Sequence, residues 1–338
     1  MDNENRLIMD RLQRSFPIDP EPYRRLGERL GLEEGEVIGR IEELKKQQRV
    51  RQISAIFNTG ALGYQSSLVA MAVPEDCLDA AVRAVNAYPG VSHNYLRPAS
   101  YNLWFTVAVP PGRSLETVVE TLSIRAGGWP TLILPALRKY KLAVVLDLLD
   151  EDAVDGAPGA FTLPRLETGA PFQPSSTNIR VARCLQEDLP LVSRPFKVWA
   201  EELGMPETEL MKLIVHWTNT GWIRRFAAVL NHREVGFAAN GMVVWRCPEE
   251  RIDGLGNILA AHSEVSHCYH RPARPEWPYN LYAMIHGRTE DECRAAAERL
   301  SEAIAIRDHR ILFSTREFKK IRLKLFWEDP ADEEGSRD

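Results

Sequence analysis

The sequence predicts an α+β fold made of two tandem repeats, each a helix-turn-helix unit followed by a ferredoxin-like βαββαβ domain. Three observations predict it. First, the chain contains a diverged copy of itself. Val50-Arg51-Gln52-Ile53-Ser54-Ala55-Ile56-Phe57-Asn58 aligns with Ile223-Arg224-Arg225-Phe226-Ala227-Ala228-Val229-Leu230-Asn231, and Val91-Ser92-His93-Asn94-Tyr95 aligns with Val265-Ser266-His267-Cys268-Tyr269. Second, each copy opens with short segments whose apolar residues recur at helical spacing. Third, each then switches to strand-like segments interleaved with helices.

Residues 1–60 read as the first helix-turn-helix unit. Leu7, Met9 and Leu12 begin an amphipathic stretch that Pro17, Pro20 and Pro22 break. Residues 23–30 form a short helix ended by Gly31, and residues 34–46 carry Val37, Ile38, Ile41 and Leu44 on one face. Two short helices joined at a glycine are the signature of this motif. Residues 61–149 form the first ferredoxin-like domain: a strand at 67–73, a helix at 75–88, strands at 91–97 and 101–109 around Pro98, a helix at 115–126, and further strand within 131–146. Residues 150–176, rich in Asp, Gly, Pro, Ser and Thr, form a linker. The second helix-turn-helix unit spans 177–233, with helices at 178–186, 196–203 and 207–219 and Gly204 as the stop. The second ferredoxin-like domain spans 234–327, from Gly241-Met242-Val243-Val244-Trp245 to a last strand through Lys319, Ile321, Leu323 and Leu325. Residues 328–338 form an acidic tail, expected to be disordered.

Composition narrows the function. No apolar run nears the roughly 18 residues of a membrane span, so no membrane role and a cytoplasmic location are expected. The five cysteines form no CxxC pair, which favours neither a disulfide framework nor a metal site. The helix-turn-helix units raise DNA binding, but the second helix of the first unit carries Glu33, Glu34, Glu36, Glu42 and Glu43 against Arg40, and that of the second carries Glu207 and Glu209 against Lys212. Carboxylates repel the phosphate backbone that supplies most non-specific affinity, so DNA binding is disfavoured.

The chemistry concentrates in a motif that occurs twice. The first copy reads His93-Asn94-Tyr95-Leu96-Arg97-Pro98, then Tyr101-Asn102-Leu103-Trp104-Phe105-Thr106; the second reads His267-Cys268-Tyr269-His270-Arg271-Pro272, then Trp277-Pro278-Tyr279-Asn280-Leu281-Tyr282-Ala283-Met284-Ile285-His286. Alternate residues of a strand share a face, so His93, Tyr95 and Arg97 point one way, as do His267, Tyr269 and Arg271. Imidazole, phenol and guanidinium beside aromatic rings suit a flat, conjugated polyanion.

These two motifs, in this order and over nearly the whole chain, resemble the signatures of the siroheme decarboxylases. One departure is visible: the first copy has Pro98-Ala99-Ser100 where that pattern carries a further histidine. The resemblance is to the fused form used in d1-haem biosynthesis for denitrification, related members serving haem b. It implies that siroheme loses carbon dioxide from two acetate side chains to give didecarboxysiroheme. No organic cofactor is then required, because the macrocycle delocalises the carbanion and brings its own iron. His93 and His267, then His286, are the expected proton-transfer or orienting groups, with Tyr95 and Tyr269 as donors or relays. Arg97, Arg271, Tyr101, Asn102, Trp104, Trp277, Tyr279 and Asn280 are the expected substrate contacts. The two repeats are expected to pair as an internal pseudo-dimer, with further homo-oligomerisation left open. A haem- or siroheme-binding sensor and an Lrp/AsnC-type transcriptional regulator stand as alternatives.

Overall fold

The computed structural model describes residues 3–142, 171–230 and 239–327. The expected linker therefore lies outside the described residues as far as residue 170, and the expected tail lies outside them entirely.

The two helical units form one body. The first consists of α1 (Asn3–Arg14), α2 (Pro22–Leu30) and α3 (Glu34–Lys46). Its counterpart, beyond the sheet elements given below, is α6 (Ser176–Leu185), α7 (Pro195–Leu203) and α8 (Glu207–Asn219). Pro22 and Pro195 open the middle helices, where a missing N–H costs nothing. Gly31 and Gly204 close them with φ of 71° and 68°, a left-handed cap that a Cβ would strain. Apolar faces from both units share one core, in which Phe16, Phe196 and Phe226 meet with ring centroids 5.6–6.5 Å apart.

The sequence reading placed residues 50–57 inside a helical unit. They instead form strand β1 (Val50–Phe57), which pairs antiparallel with β7 (Ile223–Leu230) of the other repeat. Each strand's partner lies in the other copy, so neither has a local hairpin to announce it. Polar contacts tie the units further: Asp188 accepts from Lys45 Nζ at 2.8 Å and from the Ile53 amide at 2.9 Å, and Ser193 donates to Glu34 at the start of α3 at 3.1 Å.

Two five-stranded antiparallel sheets follow. One is ordered β12-β3-β4-β2-β5, from β2 (Gln65–Met71), β3 (Val91–Leu96), β4 (Leu103–Val109), β5 (Thr131–Pro135) and β12 (Arg316–Lys320). The other is ordered β11-β8-β10-β9-β6, from β6 (Arg138–Leu142), β8 (Ala239–Trp245), β9 (Val265–His270), β10 (Leu281–Gly287) and β11 (His309–Phe313). Each sheet thus takes its outermost strand from the other repeat. The sequence reading puts further strand within 131–146 and a last strand through to Leu325. The structure breaks the first after Pro135, which ends an edge strand where its missing N–H is tolerated. It ends the last at Lys320. The crossing strand β6 is anchored by Tyr140, whose hydroxyl donates to Asp253 at 2.6 Å and whose ring lies where a Cβ on Gly256 would be.

Helices α4 (Leu78–Asn86) and α5 (Leu115–Arg125) cover one face of the first sheet, and α9 (Ile252–Ala261) and α10 (Glu290–Ile304) cover one face of the second. The opposite faces share an aromatic cluster containing Tyr101, Trp104, Trp277, Tyr279 and Tyr282. Trp104 and Trp277 meet edge to face at 5.4 Å. Arg97 donates to the carbonyl of Leu312 on β11, and Arg271 to that of Leu134 on β5, so each motif arginine bonds the other repeat's backbone. Among the described residues no helix is long and apolar enough to cross a membrane.

Truncating Trp277, which sits at the centre of this cluster, should cost about 3–5 kcal/mol through lost burial and a residual cavity. Chemical denaturation of Trp277→Ala against the parent chain measures it.

Candidate active site

In each copy a serine sets the histidine's place. The pairing of β3 with β4 steps from Val91↔Val107 to His93↔Thr106, and that of β9 with β10 from Val265↔Ile285 to His267↔Met284. Ser92 and Ser266 are the extra residues of two β-bulges, and a bulge re-aims its neighbours. Val91 remains in the helix-side core, as does Val265, while the serine and histidine side chains come into contact. Beyond the bulge the alternation resumes. Asn94 bonds Asn86 of α4 at 2.9 Å, and Cys268 lies against Gly256 of α9, so His93 and Tyr95, and likewise His267 and Tyr269, occupy the opposite face. Both pairs hold the same geometry: ring centroids lie 6.2 Å apart for His93–Tyr95 and 6.1 Å for His267–Tyr269. The cations of Arg97 and Arg271 lie 5.5 and 4.9 Å from the respective tyrosine rings.

The exchanged strands complete the two sites. On β6, Lys139 stands opposite Tyr269 and Leu142 opposite His267; on β12, Glu317 stands opposite Tyr95 and Lys320 opposite His93. The β1–β7 ribbon adds Arg51 to the charges acting on His93, and Arg224 to those around Tyr269 and Lys139.

The sites differ in their hydrogen bonding. Ser92 Oγ lies 2.9 Å from His93 Nδ1 and 3.0 Å from Thr106 Oγ1. Ser266 Oγ lies 2.9 Å from His267 Nδ1 and 2.7 Å from His286 Nε2, and donates to the Met284 carbonyl at 3.2 Å. A serine hydroxyl has one donor and two acceptor positions. With its proton on Met284, both imidazoles must donate to it, which leaves His267 Nε2 and His286 Nδ1 as the nitrogens that exchange protons elsewhere. The residue two after Thr106, in the place His286 holds after Met284, is Ala108. Among the described residues, the serine of the first site therefore meets one imidazole and that of the second meets two.

Burial shifts the charged groups. It holds the His93 imidazole below its ordinary value, with Lys320 and Arg51 acting the same way and Glu317 opposing them. It brings Arg97 down to about 10 and lowers Arg271. It raises the Tyr269 phenol. Lys139 is lowered by desolvation and by the charges of Arg224 and Arg271.

Several expected substrate contacts have other work. Tyr101, Trp104, Trp277 and Tyr279 are buried in the inter-sheet cluster, with the Trp104 indole donating to the Tyr101 carbonyl at 2.7 Å and that of Trp277 to the Tyr282 hydroxyl at 2.9 Å. Open stacking platforms would leave those faces bare; here they form core. Asn102 clamps the Val73 backbone at 2.8 and 2.9 Å, and Asn280 clamps Cys247 at 2.9 Å through both its oxygen and its nitrogen, so both amides shape loops. Arg97 and Arg271 spend one N–H each on the opposite sheet, although the buried Nε of the half-buried Arg271 has no partner among the described residues. His270 lies 3.0 Å from Glu249, on the helix side. Sequence reasoning missed Ser92, Ser266, Lys139 and Arg224. The repeated Val-Ser-His and the aligned Arg51 and Arg224 were the available signals; Lys139 had none, because strand exchange brings it in.

Comparisons with known proteins agree with this architecture. A family model described as "AsnC-like ligand binding domain" matches residues 61–141 and 234–319, and one described as "Siroheme decarboxylase NirDL-like HTH domain" matches residues 5–51 and 179–224. The chain is 39% identical over 333 residues to a siroheme decarboxylase of Hydrogenobacter thermophilus, covering 97% of each. It is 45% identical over 149 residues to the siroheme decarboxylase beta subunit of Methanosarcina barkeri, covering 44% of this chain and 98% of that one. A crystal structure of the siroheme decarboxylase NirDL in co-complex with an iron-uroporphyrin III analogue superposes with a TM-score of 0.77 at 35% identity, covering 95% of this chain and 94% of that one. The chain belongs to the siroheme decarboxylase family, in the form that carries both repeats in one polypeptide.

Proposed function

We propose that this chain decarboxylates siroheme at two acetate side chains, yielding didecarboxysiroheme for d1-haem synthesis in the cytoplasm, and that the second repeat's site performs the chemistry. One observation carries the choice of site: Ser266 joins two imidazoles, His267 and His286, whereas Ser92 reaches one. A relative crystallised with an iron-uroporphyrin III analogue supports a polycarboxylate macrocycle as the ligand class.

Loss of carbon dioxide from an acetate breaks the bond between the methylene and carboxylate carbons. The electron pair stays on the methylene carbon, delocalised into the macrocycle, and a proton must then reach that carbon to give the methyl group. No external oxidant enters, and the iron arrives with the substrate. An imidazolium is suited to the protonation because its ordinary value lies near neutral pH. In the second site His267 delivers the proton from Nε2 and recovers one there from solvent, while Ser266 holds His286 beside it as the second imidazole. Tyr269, its phenol kept protonated by burial, can donate a hydrogen bond to a carboxylate. Arg271, Arg224 and Lys139 offset the negative charge of the side chains that do not react.

The first site is poorly equipped for the same step. Burial and the charges of Lys320 and Arg51 hold the His93 imidazole below its ordinary value, which reduces the share of imidazolium available to give a proton.

Anaerobic incubation with siroheme, followed by mass spectrometry of the tetrapyrrole, should show loss of two carbon dioxide molecules. An unchanged mass with a shifted absorption spectrum would make the chain a sensor. His267→Ala and His286→Ala should each lower kcat by about 10²–10⁴-fold, the usual contribution of a positioned acid or base. His93→Ala should lower it less, and equal losses at His93 and His267 would contradict the assignment of the second site. For His93 itself, the unfolded chain holds a proton up to about pH 6.5 while the folded chain has already released it. Stability from this group therefore rises with pH between the folded value and about 6.5. Denaturant midpoints across that range should rise less steeply in His93→Gln.

A further inference from the structure

The exchanged strands place opposite charges at equivalent positions of the two sites. Lys139 pairs with Tyr269 across β6 and β9, and Glu317 pairs with Tyr95 across β12 and β3. Arg138 and Arg316 hold matching places one residue earlier, opposite His270 and Leu96. The intervening residues confirm the correspondence: Tyr140 and Phe318 are the bulged residues, and Lys141 and Lys319 turn to the helix side, donating to the carbonyls of His262 and Asn86. Partners directly across an antiparallel ladder share a face. Lys139 therefore stands on the same face as Tyr269, and Glu317 on that of Tyr95.

The surroundings sharpen the contrast. Among the described residues no carboxylate contributes to the charge environment of Lys139, Arg224 or Arg271. The first site has Arg51, Arg97 and Lys320, but Glu317 stands among them and acts on His93. Lys139 is open to solvent, yet loses part of its preference for the charged form to desolvation and to two neighbouring cations. A cation lining a cleft beside other cations is stabilised by a bound polyanion. A carboxylate in the same place repels one, since like charges set against each other in an interface cost binding.

We infer that Lys139, supplied by the first repeat, is a specificity-determining residue of the second repeat's site, and that Glu317 at the equivalent position closes the first site to polycarboxylate macrocycles. The chain would then hold one macrocycle despite its two similar pockets. This deepens the proposed function, because it takes a polycarboxylate tetrapyrrole as the ligand, but it concerns binding rather than turnover.

Titration of the full chain with iron-uroporphyrin III, followed by absorption and calorimetry, tests it. The parent chain should bind one equivalent. Lys139→Glu should weaken that binding roughly tenfold or more, with Lys139→Gln between the two, and a thermal melt of each variant reports on its fold. Glu317→Lys should raise the stoichiometry towards two equivalents. Parent affinity in Lys139→Glu, two equal equivalents in the parent chain, or a single equivalent in Glu317→Lys would each overturn the inference. Siroheme left unchanged while these titrations behave as expected would overturn the reaction assigned above and leave the charge selection standing.

Discussion

Each ferredoxin-like sheet ends in a strand from the other repeat, and the site architecture depends on that exchange. An unpaired sheet edge exposes a row of backbone donors and acceptors. Here β12 covers the β3 edge and β6 covers the β9 edge, and these are the two edges that carry His93 and His267. The exchange gives each histidine strand a neighbour whose sequence is free to change without altering the other copy. It also ties the repeats together: Arg97 and Arg271 bond the opposite sheets, Trp104 and Trp277 fill the space between the sheets, and β1 and β7 pair across the helical units.

Within that frame the two copies have diverged in chemistry more than in shape. The bulged serine, the His–Tyr ring spacing and the arginine beside the tyrosine recur in both. The differences include His286 against Ala108, Met284 against Thr106, Lys139 against Glu317 and Leu142 against Lys320. Duplication supplied two scaffolds, and specialisation of one would relieve the other of catalysis while keeping its contribution of β6 and of half the inter-sheet core. The helical units followed a similar course. The start of α3 is engaged by Ser193, its end is tied through Lys45 to Asp188, and both units share one core, which is an arrangement for holding the repeats together.

Much of this was legible in the sequence, for definite reasons. Helical spacing gave α3 and α8 to the residue, because Val37, Ile41 and Leu44, like Leu210, Ile214 and Trp217, are buried on one face. Strand alternation placed His93 with Tyr95 and His267 with Tyr269 because the motif lies beyond the bulge, where alternation holds. The failures share a physical cause. Strand exchange, the β1–β7 ribbon and the role of Lys139 all depend on partners in the other repeat, and local patterning carries no information about them. The inter-sheet packing of the aromatics was hidden for a related reason: strand patterning marks a ring as facing away from the helices but not what it meets there, and Trp104 and Trp277 meet each other. Asn102 and Asn280 belong to loop closure, which a strand-face argument cannot detect.

Of the two similar sites, the one holding both imidazoles is proposed to take the macrocycle, and a crystal structure of this chain soaked with iron-uroporphyrin III would show which does. A single macrocycle is expected beside β9, with its edge within reach of His267 and His286 and its carboxylates towards Lys139 and Arg224. A macrocycle seated instead against His93, or one in each site, would contradict it.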